Sequence, residues 1–167
     1  LRETVQEIWE SLLYLGVPFE IIIVDDGSTD GTGELADSLE EELSNVRVIH
    51  HDTNGGLGRV YRTGFEHANG RYVTFFPADG QFPAKIIQQF YFFMDQYDMV
   101  LGYVTQKRTW LSAFLSWAER LLYRFLFKNF PRFQGVLMFR RELLNTFELK
   151  STGRGWGVLM EFILRVY

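Results

Sequence analysis

The chain has 167 residues and a mass of 19.6 kDa, the size of one domain. Hydrophobic residues at 47% and charged residues at 23% exclude a disordered or collagen-like chain. The absence of Cys and the presence of only three His exclude a disulfide framework, thiolate chemistry and a His-rich zinc site. The net charge of −4 divides unevenly, with 6 Lys/Arg against 17 Asp/Glu in residues 1–106 and 11 against 4 in residues 107–167. The first part is suited to a cation and the second to anions, while the overall acidity argues against a general nucleic-acid binder. No apolar run reaches the roughly 18 residues of a membrane span, and no signal peptide is visible. The chain begins at Leu1 inside a helical pattern, so it reads as a piece of a longer protein.

Val5, Ile8, Trp9, Leu12, Leu13 and Leu15 recur at helical spacing, and Gly16 and Pro18 end that helix. Phe19–Val24 is an apolar, β-branched run of strand length, as in a buried parallel strand. A helix is expected over 33–43, a strand over Val46–His50, and a Gly-rich turn before a helix through Tyr61, Phe65 and Ala68. Tyr72–Phe76 reads as a third strand, 84–95 as a helix and Met99–Val104 as a fourth strand. Beyond residue 105 the pattern predicts a basic, aromatic helix over 110–128, a strand over Phe133–Phe139, a short helix over 141–147 and a last helix over 157–167. Alternating strands and helices with short connections indicate an α/β, Rossmann-like, mostly parallel sheet sandwiched by helices, in a single domain over 1–167. In such sheets ligands bind outside the carboxyl ends of the strands.

Two acidic positions fall at such ends. Asp25 and Asp26 follow Ile21-Ile22-Ile23-Val24 and precede Gly27-Ser28-Thr29-Asp30-Gly31-Thr32. Adjacent carboxylates there can accept hydrogen bonds from a nucleobase N–H or from ribose hydroxyls, while Ser28, Thr29 and Asp30 can cap the next helix. A capped turn explains the latter residues but not the paired charges. Asp79 and Gln81, in Phe76-Pro77-Ala78-Asp79-Gly80-Gln81, offer hard oxygen ligands for Mg²⁺ or Mn²⁺, with diphosphate and water completing the shell. For an isolated Asp-Gly, a solvated turn is the competing reading. The third motif, Asn54-Gly55-Gly56-Leu57-Gly58-Arg59, opens a helix whose N-terminus can face phosphate, or is simply a tight connection. It is neither a P-loop nor a dinucleotide fingerprint.

Taken in order, Val-Asp-Asp-Gly-Ser-Thr-Asp-Gly-Thr, Asn-x-Gly-Leu-Gly, Ala-Asn-Gly-Arg-Tyr-Val and Ala-Asp-Gly-Gln-Phe-Pro resemble family 2 glycosyltransferases of the GT-A fold, and among them the dolichyl- or polyprenyl-phosphate sugar transferases. The resemblance is specific over residues 19–83 and weaker at Gly135, Phe139-Arg140-Arg141 and Glu161. It implies an inverting hexosyltransferase that takes a nucleotide-sugar donor. Asp25, Asp26 and Asp79 would hold the nucleotide, Asp79 and Gln81 a divalent cation. Lys107, Arg108 and Arg140 would hold the acceptor lipid's phosphate, so that Asp79, Arg108 and Arg140 form the catalytic set. It also implies a location at the cytoplasmic side of a membrane, peripheral or anchored through segments outside this chain. Three departures stand out. The family's Asp-x-Asp-x-Gln has Pro77 at its first Asp, Pro131 stands where an Asp often precedes Gly135, and the family's first strand is missing.

The basic segment 107–132 interleaves Lys107, Arg108, Arg120, Arg124, Lys128 and Arg132 with Trp, Phe, Tyr and Leu, a composition suited to the membrane interface or to a core helix with a basic face. Other readings are a transferase acting on a glycan hydroxyl, with Glu161 as base, and a degenerate GT-A domain that binds without catalysis, prompted by Pro77. A phospho-receiver domain also begins Ile-Val-Asp-Asp, with Asp79 as a possible phosphate acceptor. It lacks the Gly-Ser-Thr-Asp-Gly-Thr run, and no phosphate-sensing Lys is evident here.

Overall fold

The computed structural model describes residues 1–102, 133 and 135–166. The expected basic helix over 110–128, together with Lys107, Arg108 and Pro131, lies outside the described residues. The elements are α1 (Arg2–Leu15), β1 (Ile21–Asp25), α2 (Thr32–Glu42), β2 (Val46–His50), α3 (Leu57–His67), β3 (Tyr72–Phe75), α4 (Lys85–Phe93), β4 (Met99–Leu101), β5 (Leu137–Arg140), a 3₁₀ turn (Arg141–Asn145) and α5 (Gly157–Val166).

β1 and β2 pair in parallel, with Ile21 opposite Val46 and Asp25 opposite His50. β3 and β4 flank β5, and both run antiparallel to it, with Tyr72 opposite Arg140 and Phe75 opposite Leu137. The fold is the α/β class expected. The antiparallel entry of β5 is a feature that strand-length hydrophobicity does not encode.

Alternation sorts the sheet residues between two cores even though the strands read as continuous apolar runs. Val73, Phe75, Met99, Leu101, Leu137 and Phe139 face Tyr61 and Phe65 of α3 and Val158, Leu159, Phe162 and Ile163 of α5. Tyr72, Phe76, Val100, Val136 and Met138 face Ile87, Phe90 and Met94 at α4, together with Ile8, Leu12 and Leu15 of α1. The apolar stripe of α1 thus points where its 3.6-residue period requires.

Between β1 and β3 lies a mostly apolar slot of about 1560 Å³, lined by Ile21–Val24 on one side and Tyr72–Phe76 on the other. Among the described residues neither strand has a sheet partner on the edge facing it. Leu1 stands among the slot's lining residues. The hydroxyls of Tyr61 and Tyr72, both on lining residues, are buried without a hydrogen-bond partner among the described residues. Burial raises the Tyr61 phenol above its ordinary pKa, so the group stays protonated.

Candidate nucleotide site at the carboxyl ends of the strands

Asp25 and Asp26 do not share partners. Successive residues of a strand point to opposite faces, and so do these. Asp25 turns toward α2. Its Oδ1 accepts from the Ser28 N–H at 3.1 Å, and its Oδ2 lies 3.0 Å from His50 Nδ1, whose Nε2 is 2.8 Å from Asp37 Oδ1 on α2. Asp26 turns toward α3. Its Oδ1 is 2.7 Å from His51 Nδ1, and His51 Nε2 is 2.8 Å from Thr63 Oγ1 on α3. Asp26 also accepts from the backbone N–H of Gly55 at 3.0 Å through Oδ1 and of Gly56 at 2.7 Å through Oδ2. Two Asp at the end of β1 therefore meet two His at the end of β2, each pair on its own face.

These partners set the charges. Hydrogen bonding from Ser28, and then from His50, holds Asp25 below its ordinary pKa against the opposing effect of burial. For Asp26 burial is the largest single influence and acts upward, but the hydrogen bonds from His51, Gly55 and Gly56 together outweigh it and leave the pKa lowered. Both carboxylates are ionised at neutral pH. His50 is raised above its ordinary 6.5 by Asp25 first and Asp37 second. A raised histidine stabilises the fold fully below its unfolded pKa, and that contribution fades as pH rises through the folded value. The melting temperature gap between the unaltered chain and His50→Ala is therefore expected to be wider at pH 6 than at pH 9. A gap that is constant or grows with pH would contradict this linkage.

The glycine motif is a packing device. The N–H groups of Gly55 and Gly56 belong to Asp26, and that of Gly58 donates to the Arg154 carbonyl at 3.1 Å. The N–H groups of Gly55, Gly56 and Gly58 are thus engaged by protein and not free for phosphate. A side chain at Gly58 would collide with the carbonyl oxygen of Gly153. Arg154 in turn donates to the Asn54 backbone carbonyl at 2.8 Å and to Asn54 Oδ1 at 3.1 Å.

Asp79 is exposed at the end of the loop after β3, and its Oδ1 accepts from the Gln81 N–H at 3.0 Å. The second carboxylate oxygen has no protein partner among the described residues. No cluster of three or more His, Cys, Asp or Glu suited to a metal occurs among the described residues. One carboxylate with an amide two residues on fits a Mg²⁺ or Mn²⁺ ion that takes its other ligands from diphosphate and water. Asp79 and Gln81 line the mouth of the slot, whereas Asp25 and Asp26 lie outside its lining.

A series of contacts runs between the loops that carry the two acidic positions. Arg154 holds Asn54 beyond β2, Trp156 two residues later packs against Phe133 with ring centroids 6.5 Å apart, and Gly135 lies against the ring of Phe82, next to Gln81.

Arg140 is not brought to these loops. Because β5 is antiparallel, Arg140 ends opposite Tyr72, at the amino end of β3. Its guanidinium lies 2.8 Å from Asp98 by Nε and donates to the Met94 carbonyl at 3.0 Å. This corrects its expected place in the catalytic set, which assumed that β5 runs with its neighbours. Glu161 is likewise engaged. It accepts from the backbone N–H of Lys150 and Ser151 at 3.0 and 2.6 Å and pairs with Arg165, and these bonds hold its pKa low. A carboxylate so held is a poor general base. Of the helix-capping candidates none is the N-cap of α2, which is Gly31; Asp30, just before it, accepts from the Thr32 N–H and hydroxyl.

Sequence reasoning missed His50, His51, Arg154 and Trp156. The available signal was that Asp-Asp and His-His end successive parallel strands.

The family model for glycosyl transferase family 2 matches residues 2–148. The chain belongs to this family. It is 31% identical over 134 residues to a putative teichuronic acid biosynthesis glycosyltransferase, TuaG, of Bacillus subtilis, covering 77% of this chain and 53% of that protein. It is 32% identical over 129 residues to the undecaprenyl-phosphate 4-deoxy-4-formamido-L-arabinose transferase of an Enterobacter species, covering 75% and 38%. It is 34% identical over 83 residues to the dolichol-phosphate mannosyltransferase of Saccharomyces cerevisiae, covering 50% and 31%. The chain spans about half or less of the length of these relatives.

Proposed function

We propose that this chain is the donor-binding part of a glycosyltransferase that moves a sugar, with inversion, from a nucleotide-sugar to a polyprenyl or dolichyl phosphate. The observation that carries the reading is the placement of two carboxylates, Asp26 and Asp79, each beyond the carboxyl end of its own strand, β1 and β3, in a family 2 chain. Asp26 receives the nucleoside and Asp79, with Gln81, a divalent cation. When bound, that cation neutralises the departing diphosphate.

A phosphate acceptor is already ionised at neutral pH and needs no strong base. The engagement of Glu161 by Lys150, Ser151 and Arg165 supports such an acceptor over a glycan hydroxyl. Two relatives are named for lipid-phosphate acceptors, and one is named for teichuronic acid biosynthesis, which keeps the glycan reading as the alternative. The lipid's phosphate is received by Lys107 and Arg108, and the basic aromatic segment 110–128 rests on the cytoplasmic membrane surface. Among the described residues no helix is long and apolar enough to cross a membrane.

The slot between β1 and β3 takes the extended strand that the family resemblance places ahead of α1. Its two strand edges, free among the described residues, support this reading. A chain extended ahead of Leu1 should slow amide exchange at Ile22 and Thr74 at least tenfold. Unchanged exchange there would reject the strand.

The acceptor is tested in the full-length protein. Arg108→Ala should raise the apparent KM for polyprenyl phosphate or lower kcat about tenfold, with nucleotide-sugar binding retained. Unchanged lipid kinetics and unchanged liposome binding, there and in a charge-reversed 120–128 segment, would favour the glycan hydroxyl. Nucleotide binding without any transfer would favour the degenerate domain.

A further inference from the structure

His50 and His51 carry no role in the reading so far, yet they differ sharply. The His50 side chain is 44% exposed and bridges two carboxylates at the surface of α2. The His51 side chain is 5% exposed and sits between Asp26 and Thr63. A buried histidine at two hydrogen-bond distances has a fixed ring. The Asp26 carboxylate only accepts, so Nδ1 carries a proton, and in the neutral ring Nε2 accepts the Thr63 hydroxyl proton. The orientation of the ring is thereby set by α3, and the orientation of the Asp26 carboxylate by the ring.

We propose that His51 is a positioning residue of the donor site, which holds Asp26 in the one rotation that leaves an acceptor lone pair free for the nucleoside. This rests on the reading of Asp26 as a nucleotide ligand. Three bonds fix the carboxylate: Oδ1 takes His51 and Gly55, and Oδ2 takes Gly56 alone. The remaining acceptor direction on Oδ2 is the one open to a ribose hydroxyl or a base N–H. The two glycine N–H groups hold one oxygen each, and His51 adds a third donor, from a buried side chain, on the oxygen that Gly55 also holds. The contact from His51, at 2.7 Å as short as that from Gly56, is made by a donor carried on a buried ring. The same ring ties the end of β2 to α3, so donor recognition and the seating of α3 share one side chain.

The two nitrogens can be separated. An Asn side chain places its N–H where Nδ1 stands and loses the reach to Thr63. A Gln side chain reaches Thr63 and loses the donor at the Nδ1 position. In the full-length protein with Mg²⁺, UDP and GDP are titrated calorimetrically, and the one that the unaltered protein binds is used with the variants. Asp26→Ala and His51→Gln should each weaken binding about tenfold or more, while His51→Asn should keep it within about threefold, even where its melting temperature falls. A purely structural role predicts the reverse order, because Gln preserves the tie to α3. If Asp26→Ala binds as the unaltered protein does, the nucleotide reading of Asp26 fails and takes the proposal with it. If Asp26→Ala weakens binding but His51→Gln does not, or His51→Asn weakens it as much as His51→Gln, the reading of Asp26 stands and the positioning role of His51 is rejected.

Discussion

Replacing Gly58 by alanine should destabilise the chain by about 2–3 kcal/mol, in the range of an overpacked core. The added methyl would meet the Gly153 carbonyl oxygen, which is backbone and cannot turn aside, and would press on Val158 Cγ2 at 3.3 Å. Relief requires the 153–156 loop to withdraw, which breaks the bond from Gly58 N–H to Arg154 and loosens the hold of Arg154 on Asn54. Stability and the edge of the donor site should therefore fail together. Gly64, in the same helix, has nothing within 4 Å of the corresponding position. With the slot that Gly64 lines left open, Gly64→Ala should stabilise by roughly 0.5–1 kcal/mol, because alanine restricts the unfolded chain without a clash. Urea unfolding of both variants provides the test. Equal effects in the two would remove the close-approach account of the glycine motif.

That motif illustrates what the sequence could and could not convey. Its position before a helix was readable, and so was the alternation of strands and helices, because hydrophobic periodicity is local. Whether the amides of Gly55 and Gly56 face a phosphate or a protein carboxylate depends on Asp26, about thirty residues away, and no local pattern holds that information. The same limit misplaced Arg140. A short apolar strand reads identically in either direction, and only its pairing with Tyr72–Phe75 and Met99–Leu101 fixes which end Arg140 occupies. The separation of Asp25 from Asp26 was readable in principle, since period-2 alternation forbids neighbours in a strand from sharing a face. The charge of the pair drew attention to a joint site, when the pleat had already divided it. The partners His50 and His51 follow from the parallel register of β1 and β2, which sets Asp25 beside His50.

Asp79→Ala should lower kcat for sugar transfer by about 100-fold or more while leaving the fold almost unchanged. The structural contribution of Asp79 is small: it is exposed, and its carboxylate makes one bond to the protein among the described residues, from the Gln81 N–H, so its loss should cost about 0.5–1 kcal/mol. Its chemical contribution is large under the proposed function, because it is the carboxylate of the Pro77-Ala78-Asp79-Gly80-Gln81 segment and, among the described residues, no cluster of titratable ligands stands behind it. With Pro77 carrying no charge, the ion depends on this one side chain and on the oxygens of the donor. Charge stabilisation at a leaving diphosphate is worth two or more orders of magnitude in rate. The variant should therefore lose the Mg²⁺ dependence of nucleotide binding as well as turnover, with a melting temperature close to that of the unaltered protein. Pro77→Asp provides the converse test. It restores a second carboxylate two residues ahead of Asp79 and should tighten Mn²⁺ binding in the nucleotide complex. Full transfer activity in Asp79→Ala, or Mn²⁺ affinity indifferent to both substitutions, would place the cation, and with it the departing diphosphate, somewhere other than the end of β3.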